Sequence, residues 1–183
     1  MTKENPFRLE DDDLATRKVQ FAPDLLDGQV VLVSGGGSGI GRATAWLAAR
    51  LGAKVIVSGR TEEKLKTVAE PLQARGYNCE FITANIRDRE TVNDLFAKVE
   101  KDHGRLDILI NSAGGQFPQA AIDYSPGGWN AVIDTNLNGT FHMMQAAAHL
   151  WRDTNTPGSI VNLVTVARGL HGIAHSNAAR AGV

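Results

Sequence analysis

The sequence predicts an α/β fold in which helices cover both faces of a doubly wound parallel sheet. Short runs of apolar, often β-branched residues alternate with longer segments of helical periodicity, a pattern typical of parallel strands joined by crossover helices. A glycine-rich turn directly follows the first strand and opens a helix. The 183 residues, 43% apolar and 21% charged, suit one globular domain.

The first half of the domain predicts three strands and two helices. A β-branched run that ends in glycines forms the first strand, and the helix after it stops at Gly52. The second helix has Thr61 as its N-cap and acidic residues in its first turn, while Pro71 inside it is expected to kink or shorten it. The predicted strands are 29–34, 54–58 and 79–83, and the predicted helices are 39–51 and 61–75.

The alternation continues through the second half. One helix carries its apolar residues on a single face, and a longer helix after it is interrupted in pattern by Asn136 and Gly139. The predicted strands are 106–110 and 159–164, and the predicted helices are 88–103 and 126–152.

Residues 1–25 are predicted to form an N-terminal arm, and residues 26–183 the domain itself. The arm is polar and acidic at 10–13, so it lacks the positive start and apolar stretch of a secretory signal. We interpret the acidic cluster as a solvated, loosely ordered tail rather than as a contact for a partner.

Composition excludes several classes of protein. A net charge of −1 argues against a nucleic-acid partner, because no basic excess releases counterions. No apolar run approaches the roughly 18 residues of a membrane helix. A single cysteine, Cys79, excludes a disulfide framework and suits a reducing compartment, and no histidine cluster has metal-ligand spacing, so no metal is predicted.

The glycine loop carries the strongest chemical signal. Strand, glycine turn and helix N-terminus together form an anion site, in which free N–H groups and absent side chains admit a pyrophosphate, as in a Rossmann-type domain. The predicted contacts are Gly35, Gly37, Ser38, Gly39, Ile40 and Gly41. The spacing G-x-x-x-G-x-G resembles the short-chain dehydrogenase/reductase superfamily, where this loop binds a nicotinamide dinucleotide; a methyltransferase loop is the main rival.

Further segments carry the same resemblance, which covers nearly all of residues 27–183. Arg60 ends the second strand, where an arginine pairs with a ribose 2′-phosphate and so favours NADPH over NADH; the alternative is a solvated surface arginine. The N-S-A-G run at 111–114 is similar to the family's N-N-A-G segment. The resemblance implies that Asn136 binds an active-site water. It implies that the cofactor contacts Asn85, Ile86, Asn111, Ala113 and Gly114.

The catalytic centre departs from the family's common pattern of Ser, Tyr and Lys. Thr165 falls on the serine position, Ser176 on the tyrosine position and Arg180 on the lysine position. A serine hydroxyl cannot replace a phenol as proton donor at neutral pH, and arginine does not readily move protons. The departure leaves two readings, an inactive nucleotide-binding protein or a reduction that needs no tyrosine here.

The run H-S-x-A-A-R-A-G-V at 175–183 is similar to the branch of peroxisomal trans-2-enoyl-CoA reductases and 2,4-dienoyl-CoA reductases. This resemblance implies NADPH-dependent reduction of a carbon–carbon double bond in an enoyl- or dienoyl-thioester of CoA or an acyl carrier. It implies that Thr165 and Ser176 polarise the thioester oxygen, and that Arg180 and Asn111 hold the nicotinamide ribose. The acyl chain would pass Gln116, Phe117 and Tyr124.

Two alternatives from the same superfamily stay open. A carbonyl reductase acting on a 3-oxoacyl or similar substrate would need a phenol, and Tyr77 and Tyr124 are the only tyrosines. A catalytically inactive protein would bind NADP without turnover. His171 and His175 precede the last helix and could donate a proton, but we interpret both as solvated.

The motif map predicts a C-terminally incomplete domain, since Val183 follows Arg180 closely. The missing parts would be the rest of the last helix, two strands and the substrate-covering loops. Without them we expect weak cofactor binding and no turnover. The resemblance further implies a homo-oligomer, dimer or tetramer, in the full-length form, and a cytoplasmic location, or a peroxisomal one in a eukaryote.

Overall fold

The computed structural model describes residues 9–164 and 172–183, in which five parallel strands form one sheet. The strands lie in the order β3-β2-β1-β4-β5, so the order reverses between β1 and β4. That reversal places a crevice at the carboxyl ends of these two strands. The strands are β1 Val30–Ser34, β2 Lys54–Gly59, β3 Cys79–Thr83, β4 Ile108–Asn111 and β5 Ser159–Asn162.

Helices pack on both faces of the sheet, which confirms the predicted doubly wound α/β class. Val31 and Val33 of β1 face a core cluster that includes Trp46, whereas Val30 and Leu32 face the opposite cluster. Alternate residues of one strand thus serve two separate cores. The helices are α1 Asp11–Thr16, α2 Gly39–Arg50, α3 Glu62–Ala74, α4 Arg89–His103, α5 Pro126–Ile133, α6 Thr140–Thr154 and α7 Ala174–Ala181.

Side-chain capping differs between the helices. The Asp88 carboxylate accepts a hydrogen bond from the Glu90 N–H at 3.0 Å and so caps α4. Thr61 holds the N-cap position of α3, but its side chain makes no capping hydrogen bond. Pro71 lies inside α3, which continues to Ala74, so the expected shortening at this proline does not occur.

The predicted long helix is divided by a π-helical turn. α5 and α6 flank this turn, which spans Asp134–Gly139 and contains the two residues that interrupt the apolar pattern. A π turn inserts an extra residue into the helical ladder and re-aims the side chains around it. The interruption at Asn136 therefore has a structural consequence, because the turn directs this buried side chain to a partner outside the helix.

The described part of the N-terminal arm docks on α2, so the interpretation of a loosely ordered tail is wrong for these residues. Leu14 of α1 is buried in the same core cluster as Trp46. Arg42 donates to the Leu9 carbonyl oxygen at 2.6 Å and forms an ion pair with Asp11. Asp12 pairs with Arg75 at 2.5 Å, so two carboxylates of the cluster have cation partners in the folded chain, while Asp13 is exposed.

Candidate functional site

A groove of about 220 Å³ lies over the carboxyl ends of the central strands, at the reversal in strand order. It brings together segments that follow four different strands. Among its lining residues are those predicted from the sequence: Gly35, Gly37, Ser38, Arg60, Asn85, Ile86, Ala113 and Gly114. Gly39 and Ile40 instead line a neighbouring cavity beside α1, which shares Gly37 and Ser38 with the groove.

Steric constraints explain the glycines of the loop between β1 and α2. Gly35 has a φ of +75°, and a Cβ there would lie 2.5 Å from the Ala113 nitrogen. A Cβ on Gly41 would lie less than 3.0 Å from the Gly35 carbonyl oxygen. The N–H groups of Gly35 and Gly36 are held by the Ser58 carbonyl oxygen, at 2.8 and 3.2 Å. At Gly35 and Gly41 the loop thus packs against neighbouring backbone with no room for side chains.

The loop leaves the N-terminus of α2 open to solvent. Ser38 is the N-cap residue, and its side chain accepts no capping hydrogen bond. Ile40 in the first turn is 67% exposed, so the first N–H groups of α2 are not covered by apolar packing on that side. A helix N-terminus with free N–H groups attracts an anion such as a pyrophosphate.

Two cations border the groove beside the end of β2. Arg60 is exposed, and its guanidinium makes no hydrogen bond or ion pair within the described residues. Lys64 also lines the groove, with its Cβ 3.2 Å from the place of a Gly37 Cβ. Lys64 was not among the residues predicted from the sequence, although a basic residue in the first turn of the helix after β2 was the available signal.

The two asparagines that end β4 and β5 are joined to each other. The Asn111 amide donates to the Asn162 Oδ1 at 2.9 Å, so Asn111 ties the strands together. The Asn111 Oδ1 is buried and has no hydrogen-bond partner in the described part of the chain. Asn111 does not line the groove in this structure. The sequence did not reveal Asn162 as the hydrogen-bond partner of Asn111.

Asn136 forms the centre of a hydrogen-bond network at the carboxyl end of β4. Its Oδ1 accepts from the Gly115 N–H at 2.9 Å, and its Nδ2 donates to the Gly115 carbonyl oxygen at 2.9 Å. The same Nδ2 lies 3.5 Å from the Ser176 Oγ. Asn136 and Ser176 are 1% and 2% exposed. The π turn thereby holds the loop after β4 against the first turn of α7.

Arg180 lies beside this network, on the same helix as Ser176. It donates to the Leu163 carbonyl oxygen at 2.6 Å, and its guanidinium packs directly on Gly114, where a Cβ would collide with it. Its Nε is buried without a partner among residues 9–164 and 172–183. Burial lowers the pKa of the Arg180 guanidinium from its usual value, yet arginine stays protonated in proteins. Arg180 is therefore a fixed cation at the edge of the groove.

The residues predicted to contact substrate occupy the loop between β4 and α5. Gln116 is exposed, while Phe117 and Tyr124 meet edge to face with ring centroids 5.8 Å apart. The Tyr124 hydroxyl donates to the Gly172 carbonyl oxygen at 3.0 Å. Thr165 and His171 lie outside the described residues.

His175 is buried, so the interpretation of a solvated histidine is wrong for this residue. It lies in the first turn of α7 with 0% exposure, packed against the aromatic rings of the loop after β4. Two histidines on helices make structural contacts: His103 contacts the Glu80 carboxylate at 2.6 Å, and His142 contacts the Ile86 carbonyl oxygen at 3.1 Å.

No group of metal-ligating side chains occurs in the described ranges, and no helix in them is long and apolar enough to cross a membrane. Burial raises the pKa of the Cys79 thiol to about 12, which keeps it from acting as a thiolate nucleophile at neutral pH.

Comparison with known proteins decides the family. The model of the short chain dehydrogenase family matches residues 29–183. The chain belongs to the short chain dehydrogenase family. The predicted resemblance is therefore confirmed, and the methyltransferase alternative is wrong.

Two of the proteins similar to this short chain dehydrogenase are named as dienoyl-CoA reductases. A probable 2,4-dienoyl-CoA reductase of Bacillus subtilis (strain 168) is 39% identical over 160 residues, which are 86% of this chain and 63% of the relative. A peroxisomal 2,4-dienoyl-CoA reductase of Arabidopsis thaliana is 33% identical over 174 residues, covering 89% of this chain and 58% of the relative. The chain thus spans about three fifths of these relatives' length.

A solved structure agrees with the described fold. The citronellol catabolism dehydrogenase AtuB of Pseudomonas aeruginosa PAO1 matches with a TM-score of 0.83 and 38% identity, over 89% of this chain and 67% of that protein.

Proposed function

We propose that this protein is an NADPH-dependent oxidoreductase that reduces the carbon–carbon double bond of an enoyl- or dienoyl-CoA, or acyl-carrier, thioester in fatty-acid metabolism. One observation carries the proposal. Ser176, Asn136 and Arg180 lie together at the carboxyl end of β4, and the tyrosine that a carbonyl reductase of this family uses is replaced by Ser176.

Neither tyrosine of the chain is placed to supply the missing phenol. Tyr77 precedes β3 at the amino ends of the strands, opposite the groove. The Tyr124 hydroxyl is bound to the Gly172 carbonyl oxygen. Reduction of a double bond conjugated to a thioester needs a hydrogen-bond donor on the carbonyl oxygen, a role that a serine hydroxyl can fill. The site therefore favours double-bond reduction over ketone reduction.

The residues present fit a nicotinamide dinucleotide with a 2′-phosphate. Members of the family bind nicotinamide cofactors. Gly35 and Gly41 allow the close packing of the loop that places Ser38, the N-cap of α2, on the groove, where a pyrophosphate would bind. Two cations, Arg60 and Lys64, border the groove where the adenosine ribose would lie. When bound, the cofactor would supply a hydride to the β-carbon of the substrate, and the α-carbon of the resulting enolate would take a proton from water.

The side chains of the network would hold the reacting groups. Ser176, with Thr165, would polarise the thioester oxygen. Asn136 would order a water beside Gly115, and Arg180 and Asn111 would position the nicotinamide ribose. Gln116, Phe117 and Tyr124 would border the acyl chain. In each of these roles the side chain supplies a hydrogen-bond donor or an apolar surface, and none of the roles requires a phenol.

The direct test is oxidation of NADPH by the full-length protein with crotonyl-CoA, longer trans-2-enoyl-CoAs and 2,4-dienoyl-CoAs. We expect turnover with at least one of these thioesters. Tight NADPH binding without turnover of any unsaturated thioester would overturn the proposal and support the inactive NADP-binding alternative.

Tyr124→Phe separates thioester reduction from the carbonyl reductase alternative. We expect thioester turnover to stay within about twofold of the original, because only the bond to the Gly172 carbonyl oxygen is lost. Stability should fall by about 1 kcal/mol. The measurements are NADPH oxidation with crotonyl-CoA and with a 3-oxoacyl-CoA, and Tyr77→Phe is the control. Ketone reduction that disappears only in Tyr124→Phe would favour the alternative.

Arg60→Ala should change the preference between the two nicotinamide cofactors. A charge-assisted bond to phosphate contributes about 1.5–3 kcal/mol, so the Kd for NADPH should rise about 10–100-fold while that for NADH stays unchanged. Fluorescence titration of both cofactors measures the effect, with the exposed Arg89→Ala on α4 as the matched control. An equal rise in the Kd for NADPH and in the Kd for NADH would show that Arg60 does not contact the 2′-phosphate.

We also propose that the full-length form is a homo-oligomer, a dimer or tetramer, that acts in the cytoplasm, or in the peroxisome of a eukaryote. The exposed aromatic side chains Trp129 of α5 and Phe141 of α6, 36% and 50% exposed, support a contact through these helices. Light scattering of the full-length protein tests the oligomeric state.

A further inference from the structure

His175 has an unsatisfied nitrogen in a fully buried position. Its ring stacks on Tyr124, with centroids 4.5 Å apart and an interplanar angle of 27°, and meets Phe117 edge to face at 4.5 Å. The Nε2 atom is buried and has no hydrogen-bond partner among residues 9–164 and 172–183. A buried polar atom without a partner costs folding free energy, and such atoms are rare unless a ligand or water satisfies them.

The backbone determines which nitrogen of this ring carries the proton. The Ser176 N–H donates to the His175 Nδ1 at 2.8 Å, so Nδ1 must present its lone pair. In the neutral ring the proton then resides on Nε2. The unsatisfied atom is therefore an N–H donor, and it is the acceptor that is absent.

The neighbours of this donor indicate which acceptor it takes. Phe117 and Tyr124 belong to the loop that would border the acyl chain, and Ser176 follows His175 in the same helical turn. Ser176 lies beside Asn136 in the network at the end of β4. Because His175 and Ser176 are consecutive residues of α7, a substrate whose carbonyl oxygen reaches the Ser176 hydroxyl would also lie close to the histidine ring.

We infer that the His175 Nε2–H donates a hydrogen bond to the thioester carbonyl oxygen of the substrate, an inference that rests on the proposed function. The oxygen gains negative charge when the β-carbon accepts a hydride, and a preorganised neutral donor stabilises that charge. His175 acts as a donor rather than as a proton-transfer acid. An imidazolium would place a second N–H on Nδ1, directly against the Ser176 N–H.

Three variants of the full-length protein test this role. His175→Leu removes the donor and keeps an apolar side chain in the aromatic cluster. His175→Gln keeps an amide N–H near the position of Nε2. His149→Leu, at an exposed site on α6, is the matched control. With crotonyl-CoA we expect kcat to fall about 100-fold in His175→Leu and about tenfold or less in His175→Gln, with the Kd for NADPH unchanged in both.

A nitrogen NMR measurement on the original protein gives an independent readout. We expect His175 to carry its proton on Nε2 at neutral pH. The Nε2–H resonance should shift when crotonyl-CoA is added in the presence of oxidised cofactor, because a hydrogen bond to the carbonyl oxygen forms. If circular dichroism shows that His175→Leu does not fold, this measurement and the turnover of His175→Gln test the inference instead.

The outcomes separate the inference from the proposed function. Turnover of crotonyl-CoA by His175→Leu within about twofold of the original protein overturns the inference and leaves the proposed function intact. An Nε2–H resonance that stays unchanged at saturating crotonyl-CoA does the same. Failure of the original protein to bind or reduce any unsaturated thioester overturns both.

Discussion

Gly41→Ala is expected to abolish measurable cofactor binding. The new Cβ would lie less than 3.0 Å from the Gly35 carbonyl oxygen and 3.1 Å from the Ser112 Oγ, so the backbone of the loop must move. Overpacking of this kind costs about 1–3 kcal/mol of unfolding free energy. The displaced N–H groups no longer converge on a pyrophosphate, and the Kd for NADPH should rise at least about 100-fold, as fluorescence titration would show.

Gly39→Ala is the matched control for this prediction. Gly39 lies two residues earlier in the same loop with a φ of +53°, and no atom lies within 4 Å of the place of its Cβ. We expect it to lose only about 1–2 kcal/mol of stability from the left-handed backbone. Equal effects of the two alanines on the Kd would show that backbone conformation, rather than the close approach at Gly41, controls cofactor binding.

Asn136→Ala is expected to lower thioester turnover about 100-fold or more and to destabilise the fold by about 2 kcal/mol. The substitution removes both hydrogen bonds to the Gly115 backbone and the amide beside the Ser176 Oγ. The loop after β4 then loses its hydrogen bonds to the π turn, while its aromatic contacts with His175 remain. NADPH oxidation with crotonyl-CoA and urea unfolding measure the two effects.

Asn136→Asp is a second test of this network, and Asn138→Ala is the matched control. The aspartate keeps an acceptor for the Gly115 N–H but sets an oxygen against the Gly115 carbonyl oxygen, so we expect it to lose activity as well. Asn138 lies on the exposed side of the same π turn, and its amide donates to the Asp134 carboxylate at 2.9 Å. Full activity in Asn136→Ala would show that the network has no role in the reaction.

Strand positions follow closely from the sequence, above all for β1 and β2, because central parallel strands are buried on both faces. β1, β2 and β3 differ from their predicted bounds by no more than one residue. β4 begins later than predicted, at Ile108, because Asp107 instead accepts a hydrogen bond from the Val30 N–H at 2.8 Å. That side-chain contact joins residues 77 positions apart and leaves no local signal.

The acidic arm and His175 show where local patterns are insufficient. A run of carboxylates near a chain end is typical of a solvated tail. Its pairing with Arg42 depends on a cation 31 residues away, across two packed helices. His175 likewise lies in a segment with no apolar periodicity, and its burial results from the aromatic rings of a distant loop.

The sequence by itself determined the fold class, the glycine loop and the family, because hydrophobic period and glycine spacing are local properties of the chain. Only the tertiary structure decided how the candidate site is assembled. Asn136 meets Gly115 from 21 positions away and Ser176 from 40 positions away. These contacts arise because parallel strands deliver their following loops to one edge of the sheet, where side chains remote in the chain become neighbours.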